Sequence, residues 1–204
     1  MIAIVDYGLG NLASVARAMA AIGHPAEVTG DPCAVARAAR LILPGVGAFA
    51  AGMANLIALG LADPIRAHIE AGKPFLGICL GLQLLMAESE EGASETAVER
   101  GLGLFPGVAR LLSGPGKVPQ IGWNSLRVRR PHPFLGAVEG RYFYFVHSYY
   151  VDPADESLVV ATTTYGMEFA AALGRGNVLA VQFHPEKSGR VGLDLLRTFC
   201  AATP

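Results

Sequence analysis

The sequence predicts an α/β fold: an open, mostly parallel twisted sheet with helices on both faces and additional antiparallel strands in the second half. In the first half, short apolar runs alternate with helix-like segments, which is typical of parallel strands joined by crossover helices. In the second half, β-branched and aromatic runs are separated by turn residues, which indicates antiparallel strands. The 204 residues, 52% of them apolar, suffice for one domain over residues 1–204 with a sizeable core.

In the first half, apolar runs that end at turn residues predict buried strands at 2–5, 40–43 and 74–78. Helices are predicted at 11–22, 48–61, 63–71 and 80–87. Asn11 is expected to cap the first of these helices, and Gly23 and Gly72 are expected to end the first and the third.

In the second half, the segments rich in β-branched and aromatic residues predict strands. They lie at 118–129, 141–151, 157–164, 168–173 and 178–183. The final segment, 189–202, is predicted to be a closing helix. We therefore expect a parallel first half and a strand-rich second half in one domain.

Composition excludes several classes of function. The net charge is −1, with both signs interspersed, so the chain has no electrostatic pattern for nucleic acid or an anionic membrane. The charge-free stretch 41–62 is interrupted by proline, glycine and asparagine, which argues against a membrane span. The N-terminus lacks a signal-peptide pattern. Three scattered cysteines predict neither a disulfide framework nor a metal site, so we expect a cytoplasmic protein with reduced thiols.

A glycine-rich turn at 8–13 (GLGNLA) follows the first strand and fits a loose dinucleotide-binding pattern. Asp31 lies where a ribose-binding acid would be expected. The pattern is short and occurs by chance, and two residues separate the strand from the first glycine. A tight turn, or a surface for something other than a cofactor, is the favoured interpretation, and we expect no cofactor.

Residues 77–81 (GICLG) lie between a buried strand and a predicted helix, and they have the form of a nucleophile elbow with cysteine in place of serine. Small neighbours are needed where the backbone turns sharply. The following helix would favour the thiolate of Cys79, and the Leu80 N–H would face a developing oxyanion. The alternative is a buried structural cysteine, which is common.

A cysteine nucleophile requires a base, and residues 182–186 (QFHPE) provide the strongest candidate. Pro185 favours extended geometry at His184, so Glu186 is expected on the same side as His184 and able to orient its ring. Glycines at 44–47 (PGVG) follow another strand, and N–H groups of Val46 and Gly47 are candidates for the second half of an oxyanion hole. The alternatives are a solvated strand end and a flexible turn.

Taken together, the segments 44–47, 77–83 (GICLGLQ) and 184–186 (HPE) resemble the class I glutamine amidotransferases, which use a Cys-His-Glu triad. The resemblance spans essentially the whole chain. It implies that Cys79 attacks the side-chain amide of L-glutamine and that His184 and Glu186 complete the triad. It also implies a set of glutamine-binding residues: Gln83, Glu91, Ser148, Tyr149 and Gly47.

Further segments resemble one branch of that family, the glutaminase subunits of imidazole glycerol phosphate synthases. They are 6–12 (DYGLGNL), 101–107 (GLGLFPG), 120–124 (QIGWN), 142–149 (YFYFVHSY) and 184–188 (HPEKS). This resemblance implies a heterodimer in which a (β/α)₈ cyclase subunit takes up the ammonia for histidine biosynthesis. The implied partner interface consists of Asn11, Trp123, Asn124, Tyr144 and Lys187.

Other functions remain open from the sequence. The chain could supply ammonia to a different synthase, although 122–124 and 147–149 favour the branch above. An elbow cysteine on an α/β sheet also suits a peptidase or deglycase, and segment 8–13 leaves a dinucleotide-binding module as the alternative that is not an enzyme.

Overall fold

A computed structural model describes residues 1–94 and 97–202 of the chain. Two 3₁₀ turns, at Glu156–Leu158 and Pro185–Lys187, accompany the helices and strands of these residues. The elements in chain order are β1 (Ile2–Val5), α1 (Leu12–Ala21), β2 (Glu27–Thr29), α2 (Pro32–Arg37), β3 (Arg40–Gly45), α3 (Phe49–Ala58), α4 (Ala62–Glu70), β4 (Phe75–Cys79), α5 (Leu80–Gln83), β5 (Met86–Ser94), β6 (Ala97–Arg100), β7 (Phe105–Leu111), β8 (Gln120–Ser125), β9 (Arg127–Val128), β10 (Tyr142–His147), β11 (Tyr149–Pro153), β12 (Val159–Tyr165), β13 (Met167–Arg175), β14 (Val178–Val181) and α6 (Gly189–Ala201).

The main sheet has the strand order β2-β1-β3-β4-β14-β13-β11-β7-β5-β6, with β12 and β9 attached beside β13. The first five strands in this order, β2, β1, β3, β4 and β14, pair in parallel with their neighbours. Beyond β14 the pairing is antiparallel except between β5 and β7. The predicted fold class is therefore confirmed: a parallel central sheet is extended by antiparallel strands from the second half.

Each face of the parallel sheet has its own apolar core, because successive strand residues point to opposite sides. Ala3 and Val5 pack on one side with residues of α3 and α4. Ile4, between them, packs on the other side with residues of α1 and α6. Helices thus cover both faces, as the apolar runs predicted.

Strands β8 and β10 form a separate two-stranded antiparallel sheet. The predicted single strand over 141–151 is in fact two strands, β10 and β11, which belong to different sheets. The chain leaves one sheet for the other at Ser148, which lies between them. The predicted strand over 118–129 is likewise divided into β8 and β9.

The predicted helix over 80–87 is wrong, because α5 ends at Gln83 and the chain continues as β5. The carbonyl oxygens that a longer helix would use instead accept hydrogen bonds from the segment before β7. Leu84 O accepts from Leu102 N–H at 2.8 Å, and Leu85 O accepts from Leu104 N–H at 2.9 Å. Tertiary pairing thus ends this helix after one turn.

The charge-free stretch 41–62 forms most of β3, the turn after it, α3 and the start of α4. Its apolar side chains pack into the core, with Leu41, Phe49 and Leu56 fully buried. Within the described part of the chain, no helix combines the length and the apolar character needed to cross a bilayer.

Candidate active site

Three neighbouring parallel strands end at the same edge of the sheet. Their order is β3-β4-β14, and Gly45 at the end of β3 pairs with Cys79 at the end of β4. Val181, which ends β14, pairs with Ile78. Ligands of open α/β sheets bind at such carboxyl ends. The fold therefore brings the segments 44–47, 77–81 and 182–186 together, although they are far apart in the chain.

Cys79 lies in a strained backbone conformation between β4 and α5. Its φ of 54° and ψ of −108° make it the one non-glycine residue with positive φ in the described ranges. Its neighbours must be small: a Cβ at Gly81 would collide with the Leu43 carbonyl oxygen, and one at Gly77 would lie 2.9 Å from the Gly81 carbonyl oxygen. The sharp turn with glycine neighbours, predicted from 77–81, is confirmed.

The helix after Cys79 is shorter than predicted, and this weakens one argument made from the sequence. A helix dipole favours a thiolate only where several peptide groups align, and α5 contains four residues. The helix dipole therefore gives little support to the argument for a reactive Cys79. The group that can stabilise a thiolate is instead the imidazolium of His184.

His184 and Glu186 form a buried pair. The Nδ1 atom of His184 lies 2.8 Å from Oε1 of Glu186, and the two side chains are 2% and 1% exposed. His184 is extended, with φ −105° and ψ 95°, as Pro185 predicted. Glu186 lies on the 3₁₀ turn rather than on a continued strand, so the turn brings its carboxylate to the ring.

Two opposing effects set the charge of His184. Burial lowers its pKa, but the hydrogen bonds and charges of Cys79 and Glu186 outweigh burial and raise the pKa to about 9. The other ring nitrogen, Nε2, is buried, and apart from the Cys79 sulfur it has no hydrogen-bond partner among the described residues. An imidazolium next to the Cys79 sulfur is the charge arrangement that a thiolate nucleophile requires.

A cleft of about 370 Å³ opens above Cys79. It brings together all of the residues predicted for the oxyanion hole and for glutamine. The predicted residues that line it are Val46, Gly47, Cys79, Leu80, Gln83, Glu91, Ser148, Tyr149 and Lys187. The predicted interface residues Asn11, Trp123, Asn124 and Tyr144 are not among its lining residues.

Glu91 has a structural contact that the sequence did not indicate. Its Oε2 accepts a hydrogen bond of 2.7 Å from the backbone N–H of Phe49, the first residue of α3. Ala48 at the N-cap position of that helix has no side chain able to cap it. Glu91 therefore caps α3 from a distant strand and connects the wall of the cleft to the turn after β3.

Gln83 is held by the protein at the base of the cleft. Its Nε2 donates to the Tyr149 carbonyl oxygen at 2.9 Å and to Oε1 of Gln182 at 3.3 Å. Gln182 in turn donates from its Nε2 to the Cys79 sulfur at 3.7 Å. Its position two residues before His184 is the one sequence signal that pointed to Gln182, since alternate strand residues share a side.

Tyr7 and His147 also lie at the site, and the sequence indicated them only as members of the segments 6–12 and 142–149. The Tyr7 hydroxyl is buried without a partner among the described residues and touches Gly45, so a Cβ at Gly45 would collide with it. Burial raises the pKa of Tyr7, and the charge of Cys79 raises it further. His147 lines the cleft, and burial lowers its pKa to about 4. Neither lies near Cys79 in the chain, so spacing gave no signal for them.

The aromatic residues of β8 and β10 form a partly exposed surface next to the cleft. The rings of Trp123 and Tyr144 meet edge to face with centroids 6.0 Å apart, and Trp123 is 52% exposed. Nζ of Lys187 lies 5.9 Å from the centroid of the Tyr144 ring. The Tyr144 carbonyl oxygen accepts from the His184 N–H at 2.9 Å, so this surface is bonded directly to the histidine.

The two asparagines of the predicted interface differ in their contacts. Asn124 donates to the Thr164 carbonyl oxygen at 2.6 Å and accepts from Gln120 at 3.0 Å, so neighbouring strands hold its amide. Asn11 lies at the N-cap position of α1 but makes no capping hydrogen bond with its side chain, so the predicted side-chain cap is wrong. Its φ of −88° and ψ of 57° depart from the extended conformation in which a cap usually bonds.

The dinucleotide interpretation finds no support in the local geometry. Both carboxylate oxygens of Asp31 accept hydrogen bonds from α2, from Cys33 N–H at 3.0 Å and Ala34 N–H at 3.3 Å. The residue placed at the ribose position is thus the N-cap of a helix. Within 1–94 and 97–202, no group of three or more His, Cys, Asp or Glu side chains is arranged to hold a metal ion.

The strained cysteine at a strand end and the buried histidine–glutamate pair beside it have the arrangement that catalysis by a cysteine nucleophile requires. Comparison with known families agrees: the family described as glutamine amidotransferase class-I matches residues 3–202. The chain belongs to the class I glutamine amidotransferase family.

Curated relatives are more specific. A protein of Moorella thermoacetica is 53% identical over 97% of this chain and 93% of its own length. One of Syntrophotalea carbinolica is 51% identical over 98% of both chains. One of Methanothermobacter thermautotrophicus is 50% identical over 98% of this chain and 97% of its own. Each is named imidazole glycerol phosphate synthase subunit HisH.

Solved structures support the fold. A crystal structure of a glutamine amidotransferase matches with a TM-score of 0.74 and 21% identity, covering 98% of this chain and all of that one. The structure of PurLQS from Thermotoga maritima matches with a TM-score of 0.75 and 18% identity, covering 98% of this chain and 96% of that one. These similarities carry the architecture alone.

Proposed function

We propose that this chain is the glutaminase subunit of an imidazole glycerol phosphate synthase, and that Cys79, His184 and Glu186 are its catalytic triad. The proposal depends above all on one observation, the buried His184–Glu186 pair beside the strained Cys79 at a common sheet edge. Relatives of about 50% identity over nearly the whole chain support the specific synthase.

The first half of the reaction forms a thioester. The Cys79 thiolate attacks the side-chain amide carbon of L-glutamine, and the carbonyl oxygen becomes an oxyanion. The Leu80 N–H and an N–H of Val46 or Gly47 are proposed to stabilise this charge, because these residues line the cleft beside the sulfur. The imidazolium of His184 then donates its proton to the leaving nitrogen, the C–N bond breaks, and ammonia leaves.

The second half hydrolyses the thioester. Neutral His184 takes a proton from water, the resulting hydroxide attacks the thioester carbon, and the C–S bond breaks to give glutamate and the thiolate. Glu186 keeps Nδ1 of His184 protonated and stabilises the imidazolium. The balance is one glutamine and one water consumed for one glutamate and one ammonia.

Glutamine is proposed to bind with Gln83, Glu91, Ser148, Tyr149 and Gly47, all of which line the cleft. One Glu91 oxygen is bonded to Phe49 N–H, and the other remains to meet a substrate α-ammonium group. Backbone and hydroxyl groups of Ser148 and Tyr149 can meet the α-carboxylate. The cleft volume of about 370 Å³ is ample for one amino acid.

The ammonia is proposed to pass to a cyclase subunit in a heterodimer, since free ammonia near neutral pH is mostly protonated and no longer nucleophilic. The docking surface would include the aromatic surface of Trp123 and Tyr144, with Lys187 between that surface and the cleft. Asn11 and Asn124 complete the proposed interface. Any lyase step of the complex belongs to the cyclase, whereas this chain performs amide hydrolysis. We also propose that residues 1–204 form one domain and that the protein is cytoplasmic.

The decisive experiment mixes this chain with a cyclase subunit, its phosphoribulosyl ribotide substrate and glutamine, and measures imidazole glycerol phosphate. Product is expected with glutamine, together with faster glutamate release than from the isolated chain. Cys79→Ala should abolish product from glutamine while ammonium salts at alkaline pH still support the cyclase. Failure to form product with wild type and glutamine, when ammonium works, would leave the family assignment and remove the specific function.

A further inference from the structure

Gln182 is a fully buried polar residue that the mechanism above does not use. It follows the last residue of β14, and its backbone N–H donates to the Ala171 carbonyl oxygen at 2.8 Å, which fixes its position against β13. A buried amide without a function is costly unless all its polar atoms are paired. Both atoms of this amide are paired, and one of the partners is the nucleophile.

The hydrogen-bond network determines which way the Gln182 amide points. Nε2 of Gln83 donates to the Tyr149 carbonyl oxygen at 2.9 Å, and a carbonyl can only accept. The same Nε2 therefore donates to Gln182, which places Oε1 of Gln182 toward Gln83 at 3.3 Å. Nε2 of Gln182 is left facing the Cys79 sulfur at 3.7 Å. Tyr149 thus fixes the donor of Gln182 on the sulfur.

Besides the His184 imidazolium, the sulfur has two polar neighbours that favour opposite protonation states. The Val146 carbonyl oxygen, 3.9 Å away, can only accept and therefore pairs with a thiol S–H. The Gln182 N–H can only donate and therefore pairs best with a thiolate, because hydrogen bonds to charged acceptors are the stronger ones. Losing Gln182 would remove a donor that competes with this carbonyl oxygen for the sulfur, so the thiolate would depend more heavily on His184.

We propose that Gln182 is a positioning residue that stabilises the Cys79 thiolate and aligns it with the glutamine-binding residue Gln83. The inference rests on the proposed function, in which Cys79 is the nucleophile. In this proposal a series of hydrogen bonds connects the substrate cleft to the sulfur. It runs from the Tyr149 carbonyl oxygen through the side chains of Gln83 and Gln182 to Cys79.

The test replaces Gln182 with methionine, which has a similar shape and lacks both polar atoms. Alkylation of Cys79 by iodoacetamide is followed against pH by mass spectrometry, in a Cys33→Ser background because Cys33 is exposed. We expect the midpoint of the rate profile to move up by about one pH unit, equivalent to about 1.4 kcal/mol. We expect kcat for glutamine to fall about tenfold and KM to change less than threefold, since Gln83 keeps its bond to Tyr149.

Gln120→Met is the matched control, because Gln120 is equally buried, carries the same amide and bonds Asn124 instead of the sulfur. It should leave the alkylation profile unchanged. If Gln182→Met proves too unstable by thermal unfolding, Gln182→Glu keeps the shape and should move the midpoint in the same direction.

An unchanged profile in a folded Gln182 variant would overturn the inference while leaving the glutaminase intact. A wild-type chain that does not hydrolyse glutamine would instead overturn the proposed function. The alkylation profile requires no glutamine, so the two failures are distinguishable.

Discussion

Two buried histidines next to the cleft have opposite pKa shifts. On the turn after β14, Cys79 and Glu186 raise the pKa of His184 to about 9 in spite of burial. At the end of β10, burial and, to a smaller extent, the charge of His184 lower the pKa of His147 to about 4. The Nδ1 atom of His147 bonds a backbone carbonyl oxygen, that of Tyr149, at 2.8 Å.

The difference teaches that burial does not decide the charge of a histidine in this molecule. Each ring is buried and has Nδ1 bonded at 2.8 Å. The Cys79 sulfur and the Glu186 carboxylate stabilise the imidazolium of His184, whereas a neutral carbonyl cannot offset the desolvation of His147. One histidine is suited to carry a proton to a leaving group, and the other stays neutral throughout the physiological range.

Removing the Cys79 sulfur is expected to have the largest effect on the difference between the two histidines. Cys79→Ala should lower glutaminase kcat by at least about 10⁴-fold, because the nucleophile is gone. The pKa of His184, followed by NMR, should fall from about 9, because one of the two groups that raise it is lost. Cys200→Ala is the control, since Cys200 is a buried thiol on α6 and should be dispensable for activity. Substantial activity in Cys79→Ala would contradict the assigned nucleophile.

Neutralising the carboxylate makes His184 resemble His147. Glu186→Gln should lower kcat by about 10²–10³-fold, because an amide cannot stabilise the imidazolium as a carboxylate does. The alkaline limb of the kcat/KM profile, expected near pH 9 in the wild type, should move to lower pH. Glu168→Gln, which replaces a carboxylate on β13, should leave the limb in place. If the alkaline limb stays near pH 9 in Glu186→Gln, Glu186 does not raise the pKa of His184.

Replacing His147 is expected to have the smallest effect on activity, and its main effect is expected on the pH dependence of stability. The unfolded chain binds the proton near pH 6.5 and the native chain only near pH 4, so acidification between these values favours unfolding. This costs at most about 3 kcal/mol. His147→Asn should flatten that acid loss in urea unfolding and change kcat by about tenfold or less. His24→Asn, an exposed control, should retain the wild-type slope; an equally steep slope in His147→Asn would exclude His147 as its source.

Four of the five parallel strands (β1, β3, β4 and β14) were predictable because they are short, continuous apolar runs. Strand β2 was missed because Glu27 and Thr29 flank Val28, so it is not such a run. The helix over 80–87 failed because an apolar run of that length fits either a buried helix or a buried strand. Pairing with residues 102–104 decided the outcome. Strands β5 and β6 were missed because the sequence from Glu88 to Glu91 is acidic, and its extended form depends on pairing with β7.

The site was predictable where its chemistry is local in the sequence. Cys79 between two glycines and His184 beside Glu186 are short patterns with a physical cause. Gln182 is 103 residues from Cys79, and Tyr7 reaches Gly45 across the sheet edge, so these contacts require the fold. The helix-dipole argument failed for the same reason: the length of α5 depends on distant partners rather than on its own residues.

The positive φ of Cys79, the proposed nucleophile, lowers the folding stability of the chain. Left-handed backbone is unfavourable for residues that carry a Cβ, and glycine adopts it without that penalty. Selection for stability alone would therefore put glycine at position 79. The proposed nucleophile thus keeps its side chain at a cost in folding stability, as residues at functional sites commonly do.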